Sequence, residues 1–286
     1  MEPALLDSRL AIVGPGRAAR ALARSWIRAG GRLGQVVARS AEAAKEAVVR
    51  VGGGQAAILG SADFDCDILV LGVPDDAIRT VSAALAPRVS CHVAFHLSGA
   101  LPARELEPLS ANGAALGSLH PVRPFSGAPD ELWEGTFVAI EGDPGAVDLG
   151  ERIARALRAH GHRLAEEAKP LYHAAATLAA AGALATVSLA ARIWAQIGIP
   201  EEVARAALAD LSARATAAAA SRSFEESFTG AIARRDVGTV RAHRSALQGL
   251  PEALAAYRTM ARETLERTRG RGKEDEIRAA VETDER

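Results

Sequence analysis

The sequence predicts an α/β fold in which an N-terminal doubly wound sheet of the Rossmann topology precedes an all-α C-terminal domain. Up to about residue 165, short β-rich runs alternate with helical segments, which is typical of a parallel sheet with crossover helices. From about residue 166 the chain becomes alanine-rich and its strand signals end. We therefore expect two domains, at residues 1–165 and 166–286.

Seven short apolar and β-branched runs predict the strands, namely Leu10–Val13, Gly34–Ala38, Ala57–Leu59, Asp67–Val73, His92–Leu97, Ala115–Leu119 and Thr136–Ile140. The helices predicted between them are Gly16–Ala29, Ala41–Val51, Asp75–Leu85 and Gly145–His160. The run Asp67–Val73 is almost continuously hydrophobic, as is typical of a central strand covered on both faces. Asp75 or Asp76 is expected to cap the following helix.

The C-terminal region predicts helices separated by breaks at Gly198–Pro200, Phe228–Gly230 and Gly249–Pro251. Its stretch Ala174–Ala191 carries no charge, but alanine contributes little transfer free energy, so we expect a helix buried among other helices and not a membrane span. The charged segment Arg267–Arg286 predicts a frayed or loosely helical end.

Composition narrows the possible partners. A formal net charge of −1 over 286 residues gives no general attraction to nucleic acid or to anionic lipid. The two cysteines, Cys66 and Cys91, indicate neither a disulfide framework nor a metal site. The start Met1–Ala4 lacks the basic region and apolar run of a secretory signal, so we expect a cytoplasmic protein.

The segment Leu10–Ala19 sets an apolar strand against a turn of the G-x-G-x-x-A type and is the most informative feature of the chain. Gly14 permits the tight turn, Gly16 removes a Cβ that would block a pyrophosphate, and Ala19 lets the helix pack close to the sheet. Free N–H groups at the helix start attract phosphate. The turn predicts a dinucleotide site formed by Gly14, Pro15, Gly16, Arg17 and Ala18.

The second strand decides between the two nicotinamide cofactors. An NAD site ends this strand in a carboxylate, which would repel a 2′-phosphate, whereas this chain has Arg39 and Ser40. A guanidinium pairs with phosphate in a forked arrangement, and the serine hydroxyl adds a hydrogen bond. The pair predicts NADP, with a solvated loop role for Arg39 as the alternative.

Ligands of open α/β sheets bind beyond the carboxyl ends of the strands. Val73 and Pro74 are expected to line the nicotinamide side, and Ser98 offers a hydroxyl beside the small Gly99. His120 follows the sixth strand and is expected to donate to a substrate carbonyl or to exchange a proton near neutral pH. The alternative for His120 is a structural histidine bonded to backbone. Arg123, between two prolines, is expected to be solvated or structural, with binding of a substrate carboxylate as the alternative.

Lys169 and His173 begin the helical domain with a spacing that places them on one helix face. Reduction of a C=O or C=N bond by hydride leaves an atom that needs a proton or positive charge, which these residues would supply. The alternative places Lys169 in solvent, ahead of Pro170 at the first helical position. Arg234, Asp236 and His243 would either reach the cleft between the domains or form a salt-bridged loop that orients two helices.

The motifs in their order resemble a family with a Rossmann-like NADP-binding domain and a helical domain of unknown function, within the superfamily of 6-phosphogluconate dehydrogenase, ketopantoate reductase, pyrroline-5-carboxylate reductase and deazaflavin-dependent NADP oxidoreductase. The segments that carry the resemblance are Ile12–Arg17, Leu71–Ile78, His96–Leu101, Gly117–Pro121, Tyr172–Ala176 and Arg234–Asp236. The resemblance implies a lysine proton donor at the position of Lys169, and a homodimer formed through the helical domains. The chain departs from its relatives at Gly230–Ala231, at Arg235 and at Ala181, where relatives have Gly-Pro, glycine and asparagine.

Together these features predict an NADP(H)-dependent oxidoreductase that transfers hydride to or from a small carbonyl, hydroxy acid or imine between its domains. Ser98 and His120 would position the substrate, while Lys169, assisted by His173, would supply or stabilise the proton. Hydride exchange between NADP and a deazaflavin is one alternative. A non-catalytic NADP-binding sensor or assembly protein is the other.

Overall fold

A computed structural model describes residues 5–61 and 63–282 and divides into two compact units, the first ending at Thr177 and the second beginning at Leu178. This division falls after the predicted domain boundary at residue 165. Residues up to 177 group with the first unit because Lys169 is buried against its sheet. The assignment of functional domains stays a prediction. Residues 1–4, on which the absence of a secretory signal was judged, lie outside the described residues.

The first unit contains the strands β1 (Arg9–Val13), β2 (Arg32–Ala38), β3 (Gln55–Ile58), β4 (Phe64–Asp65), β5 (Ile68–Leu71), β6 (Val89–Ser90), β7 (Val93–His96), β8 (Ala115–Pro121), β9 (Phe137–Gly142) and β10 (His160–Arg163). Its helices are α1 (Arg17–Arg28), α2 (Ala41–Val51), α3 (Ile78–Leu85), α4 (Pro144–Ala156) and α5 (Lys169–Thr177). Short 3₁₀ segments at Asp75–Ala77 and Ala103–Asn112 connect strands to helices.

Eight strands form one sheet in the order β10-β9-β8-β7-β5-β1-β2-β3, and β4 pairs separately with β6. Every pair in the large sheet is parallel except β8 with β9. This topology confirms the predicted α/β doubly wound fold. One assignment is wrong: residues 157–160 do not continue α4, because the chain turns at Arg158 and His160 enters β10. All four residues of β10 are exposed, so it has no apolar alternation to reveal it.

The centre of the sheet is covered on both faces. Leu10, Ile12 and Val70 pack into one core with α1, α2 and α4, whereas Val13 and Leu71 pack into a second core with α3 and the segment Ala103–Asn112. Side chains alternate between the two cores because successive residues of a strand point to opposite faces. All of β5 is buried, which confirms the prediction of a central strand covered on both sides.

The antiparallel strands β8 and β9 are joined by a long connection, residues 122–136, and this loop packs onto α1. The Arg24 guanidinium donates to the carbonyls of Ala128 and Glu131 at 2.9 and 3.1 Å. The fully buried Trp133 donates its indole N–H to the carbonyl of Ala18 at 3.2 Å, and its backbone N–H to Ser25 Oγ at 2.9 Å. The loop therefore completes the buried face of α1.

The second unit contains the helices α6 (Ala183–Gln196), α7 (Glu201–Ala218), α8 (Phe224–Ser227), α9 (Gly230–Ala233), α10 (Val237–Leu247), α11 (Pro251–Arg267) and α12 (Glu274–Glu282), preceded by a π-helical turn at Leu178–Gly182. The helices α9 to α12 enclose a core that includes Val240, Ala261 and Ile277. The predicted loose C-terminal end is wrong for α12, which buries Ile277 and Val281. The three predicted breaks fall between helices.

The predicted burial of the alanine-rich stretch is also wrong for the single chain. Ala191 is the one buried residue of α6, and Leu184 is 72% exposed. Among the described residues, the segment Glu166–Gln196 is long and apolar enough to cross a membrane by length and composition: an 18-residue window within it has a mean hydropathy of 1.7, and 6% of that window is buried. Its small side chains leave an apolar helix face without cover inside this chain.

Replacing Gly72 with alanine is expected to destabilise the first unit. A Cβ at Gly72 would lie 2.5 Å from Ala19 Cβ and 2.6 Å from the Gly14 carbonyl oxygen, so α1 must move away from the sheet. We expect urea denaturation to show a free energy of unfolding lower by about 1–3 kcal/mol. The matched control is Gly249→Ala, where nothing lies within 4 Å of the added atom. Equal stability of the two variants would contradict this account.

Candidate functional site

A cleft of about 760 Å³ opens at the carboxyl ends of β1, β2 and β5. Its lining includes the predicted residues Gly14, Pro15, Gly16, Arg39, Ser40, Val73 and Pro74. Arg17 and Ala18 lie in the first turn of α1, and the Arg17 guanidinium donates to the Phe125 carbonyl at 3.2 Å. Their proposed contact with a ligand stays a prediction.

The glycine turn brings α1 and the sheet into close contact. Gly14 has a φ of +74°, and a Cβ there would clash with Cγ1 of Val73. A Cβ on Gly16 would lie 3.0 Å from the Gly72 carbonyl oxygen. Gly16 stands at the N-cap position without a side-chain cap, so the first N–H groups of α1 are not satisfied by a capping side chain. The start of α1 is therefore open to an anionic group.

Arginine side chains line the cleft, beginning with Arg39 at its far end, which is the end next to β2 and away from the glycine turn. Arg39 follows β2 and is exposed, while Ser40 caps α2 by accepting a hydrogen bond from the Ala43 N–H at 3.2 Å. Two further arginines, Arg20 and Arg50, line the same cleft. Neither was predicted from the sequence, because each occupies an ordinary polar position of a helix.

Ser98 is held in a network of short hydrogen bonds. Its hydroxyl donates to Asp75 Oδ2 at 2.7 Å and accepts from the backbone N–H groups of Ala100 and Leu101 at 3.2 and 3.0 Å. The prediction that Asp75 or Asp76 caps the next helix is wrong, because no side-chain cap is present at Asp75–Ala77 or at α3, and Asp75 binds Ser98 instead. The serine joins the ends of β5 and β7.

Lys169 is 2% exposed, which excludes the alternative of a solvated lysine. Its ammonium donates to Ser118 Oγ at 2.6 Å and to the Ser98 carbonyl at 3.4 Å, and lies 3.5 Å from Glu141 Oε2. Burial lowers the pKa of Lys169, and the Glu141 carboxylate opposes that shift. Ser118 and Glu141 were not predicted, because both lie inside otherwise apolar strands.

His120, His173 and Tyr172 form a ring cluster beside Gly99. The Tyr172 hydroxyl lies 2.7 Å from His120 Nδ1, and the His120 and His173 rings meet edge to face with centroids 5.6 Å apart. A Cβ on Gly99 would lie 2.6 Å from His173 and 2.8 Å from His120, so only glycine fits there. The structure thus brings Ser98, His120, Lys169 and His173 together within the first unit.

The ionisation of His120 differs from the expectation. Burial, and then the neighbouring His173 and Lys169, lower the pKa of His120 to about 4. The predicted proton exchange of a free imidazole near neutral pH is therefore wrong, because burial disfavours the charged form. Burial raises the pKa of Tyr172 to about 12. Both side chains are neutral at physiological pH.

In the second unit, Asp236 and His243 make structural contacts, while Arg234 is exposed. Asp236 caps α10 by accepting from the Thr239 N–H at 3.0 Å, and His243 Nδ1 lies 3.2 Å from the Tyr257 hydroxyl. The adjacent Arg235 is buried and donates to the Thr268 carbonyl at 2.6 Å. These contacts orient helices, as the structural alternative expected. Within the described residues, no cluster of three His, Cys, Asp or Glu side chains forms a metal site.

The parallel sheet, the glycine turn and the cleft at the strand ends define the first unit as a Rossmann-like domain. Residues 2–121 match the family model of that name, and residues 136–264 match the model described as Domain of unknown function (DUF2520). The chain therefore carries a Rossmann-like domain followed by a DUF2520 domain, which confirms the family resemblance. No curated protein sequence matches the chain.

Solved structures share this fold over nearly the whole chain. Protein TM1727 from Thermotoga maritima is 22% identical, with a TM-score of 0.76 over 91% of this chain and 98% of that one. Protein BF3122 from Bacteroides fragilis, provisionally designated an NADP oxidoreductase, is 19% identical, with a TM-score of 0.70 over 92% and 100%. A Plasmodium falciparum pyrroline carboxylate reductase with NADP bound is 12% identical, with a TM-score of 0.60 over 97% and 100%.

Stability is expected to fall in mild acid because of His96. This fully buried histidine accepts from the Ser98 N–H at Nδ1, 3.1 Å away, so its Nε2–H donates to the Pro102 carbonyl at 3.0 Å. Burial lowers its pKa to about 4, below the unfolded value of 6.5. The histidine's contribution is complete above pH 6.5 and is lost as the pH falls towards 4, a change of about 3 kcal/mol.

Urea denaturation between pH 7 and pH 4 measures this loss. The variant His96→Gln is expected to be less stable at pH 7 but to show a shallower decline with acid. The control His162→Gln alters an exposed histidine on β10 and should keep the wild-type slope. An unchanged slope in His96→Gln would rule out the assignment.

Proposed function

We propose that this protein is an NADP(H)-dependent oxidoreductase that transfers hydride between the cofactor and a small carbonyl, hydroxy-acid or imine substrate. The observation that carries the proposal is the cleft that joins the glycine turn of β1 to Arg39 and Ser40 after β2. The fold shared with a structure that has NADP bound supports the proposal.

The residues at the cleft fit such a cofactor. Gly14 and Gly16 remove side-chain atoms where a pyrophosphate must approach the backbone, and the start of α1 presents N–H groups and the positive end of the helix dipole. The cleft volume of about 760 Å³ is in the range of cofactor sites. Pyrophosphate would be bound by backbone, as in other Rossmann-like domains.

The adenosine end favours a phosphorylated ribose. No carboxylate ends β2; instead Arg39 is free to form a forked pair with a 2′-phosphate, and the Ser40 hydroxyl retains its proton to donate while it caps α2. The acidic Glu46 in the lining is paired with Arg50 at 2.6 Å. Arg20 adds to the positive charge of the cleft, whereas the Arg50–Glu46 pair has no net charge.

The nicotinamide end would lie at Val73 and Pro74, next to the Asp75–Ser98 hydrogen bond. When bound, a reduced nicotinamide supplies hydride to an electrophilic carbon. Ser98, bonded to Asp75, would form the inner surface of the site, and His120 and His173 are half-buried beside it. Lys169 lies behind Ser98 and adds a positive charge on the side where negative charge develops on the substrate.

We also propose that the protein forms a homodimer through its helical unit. Leu184 on α6, together with Val203 and Leu211 on α7, is more than half exposed in the single chain. Burying such apolar side chains stabilises an interface by roughly 25 cal/mol per Å². A second copy accounts for this surface better than a membrane does, because the stretch is mostly alanine.

We also propose a cytoplasmic location, because the state of the two cysteines fits a reducing compartment. Cys66 and Cys91 are both buried and free, as is typical of proteins in a reducing compartment. The near-zero net charge gives no reason to expect nucleic acid or anionic lipid as a partner.

Isothermal titration calorimetry with NADPH and NADH tests the cofactor. We expect the wild type to prefer NADPH and the variant Arg39→Asp to lose that preference through a roughly tenfold to hundredfold weaker affinity for NADPH, since hydrogen bonds between charged groups contribute about 1.5–3 kcal/mol. The control Arg32→Asp changes an exposed arginine at the opposite end of β2 and should bind like the wild type. Absence of binding to both forms of the cofactor would refute the proposal.

Analytical ultracentrifugation tests the dimer. The variant Leu184→Asp places a charge on the exposed α6 face and is expected to sediment as a monomer where the wild type sediments as a dimer. The control Val49→Asp alters a residue of α2 that is 81% exposed and should remain dimeric. A monomeric wild type would contradict this assignment.

A further inference from the structure

Tyr172 was not predicted as a site residue, yet it makes the only hydrogen bond that any described residue makes to the His120 ring. Its hydroxyl lies 2.7 Å from His120 Nδ1, and the two rings meet at 87° with centroids 5.6 Å apart. Tyr172 stands on α5 one turn after Lys169, whose buried ammonium ties that helix to β8. The phenol is therefore fixed relative to the imidazole.

The direction of this hydrogen bond follows from the chemistry of the two groups. An imidazole nitrogen is a far better acceptor than a phenol oxygen, and a phenol O–H is a better donor than a neutral imidazole N–H. Among the described residues, the Tyr172 hydroxyl has no other acceptor. The phenol therefore donates to Nδ1, and the ring proton of His120 is on Nε2.

Nε2 is the reactive end of the imidazole. Within the part of the chain that the structure describes, Nε2 has no hydrogen-bond partner, while Gly99 packs against the Nδ1 edge. The charged and titratable groups around the ring are Tyr172, His173 and Lys169 of α5, Asp75 before α3 and His96 of β7. Burial, His173 and Lys169 favour the neutral ring, in agreement with the low pKa of His120.

We propose that Tyr172 is a positioning residue that holds His120 as a neutral imidazole with its proton on Nε2, and that this N–H donates to the oxygen of a carbonyl substrate. The inference rests on the proposed function and narrows its substrate class. A carbonyl oxygen is an acceptor and matches the N–H. An imine accepts hydride most readily when its nitrogen is protonated. That iminium nitrogen is cationic and carries its own N–H, so it requires an acceptor that this tautomer does not offer.

Proton transfer to the substrate oxygen requires no charged acid. The carbonyl carbon receives hydride from a reduced nicotinamide, and the π electrons of the C=O bond move to oxygen. The oxygen takes the proton from His120 Nε2, while Nδ1 takes the proton of the Tyr172 hydroxyl. The tyrosinate then recovers a proton from water. Alkoxides are much more basic than a phenolate whose conjugate acid has a pKa of about 12, so the transfer is downhill.

Long-range ¹H–¹⁵N NMR of the histidine rings tests the tautomer directly. We expect wild-type His120 to show a protonated Nε2 and a bare Nδ1 between pH 5 and pH 8. In Tyr172→Phe the tautomers should mix and the ring should begin to protonate at higher pH, because the donor that favours the neutral form is gone. The control Tyr257→Phe removes a phenol from His243 in the second unit and should leave His120 unchanged. A proton on Nδ1 in the wild type, or an unchanged His120 in Tyr172→Phe, would overturn the proposal.

Steady-state kinetics with NADPH tests the substrate class, on matched panels of ketones, aldehydes and cyclic imines. We expect carbonyl reduction to exceed imine reduction, and Tyr172→Phe to lower kcat about a hundredfold with KM close to that of the wild type. Tyr257→Phe should match the wild type. Preferred turnover of imines, or turnover of neither class, would count against the carbonyl assignment. Failure to bind NADPH would refute the proposed function instead. The NMR experiment does not depend on NADPH binding, so it tests the His120 tautomer separately.

Discussion

The site depends on one buried ion pair. The Lys169 ammonium lies 3.5 Å from Glu141 Oε2, and the Ser118 hydroxyl bonds to both groups. Glu141 also accepts the Ala103 N–H at 2.9 Å, so hydrogen bonds compensate the buried charges. The ammonium also binds the Ser98 carbonyl. This network joins the ends of β7, β8 and β9 to the start of α5. Because α5 is held there, Tyr172 and His173 lie over the end of the sheet and not in solvent.

The cofactor end depends on a different constraint, the absence of side chains. Gly14, Gly16 and Gly72 meet where β1, α1 and β5 converge, and Ala19 of α1 is as large a side chain as the contact allows. Close packing of this kind exposes backbone N–H groups to a ligand, which a larger residue would cover. The cleft thus presents backbone at the glycine turn and the Arg39 side chain at the end of β2.

Apolar periodicity made the central strands and the first two helices predictable, and position near the end of a strand identified Ser98 and His120. The expectation that His120 follows its strand is wrong, because β8 continues to Pro121 and pairs His120 with Ala139. The residues that contact this site in the folded chain could not be predicted from the sequence. Glu141 and Ser118 become neighbours of Lys169 only through an antiparallel pairing of β8 and β9, which no local pattern announces. The low pKa of His120 arises from burial, and burial is a property of the folded chain. The catalytic and binding roles of Ser98, His120 and Lys169 stay predictions.

The loop on α1 has a consequence for the order in which the chain folds. Arg24 and Ala18 find their partners in Glu131 and Trp133, more than a hundred residues further along the chain. Contacts of such long sequence separation form late, since loop closure must precede them. During synthesis, α1 emerges long before Trp133 exists. Until the loop that follows β8 has been made, one face of α1 therefore exposes apolar surface.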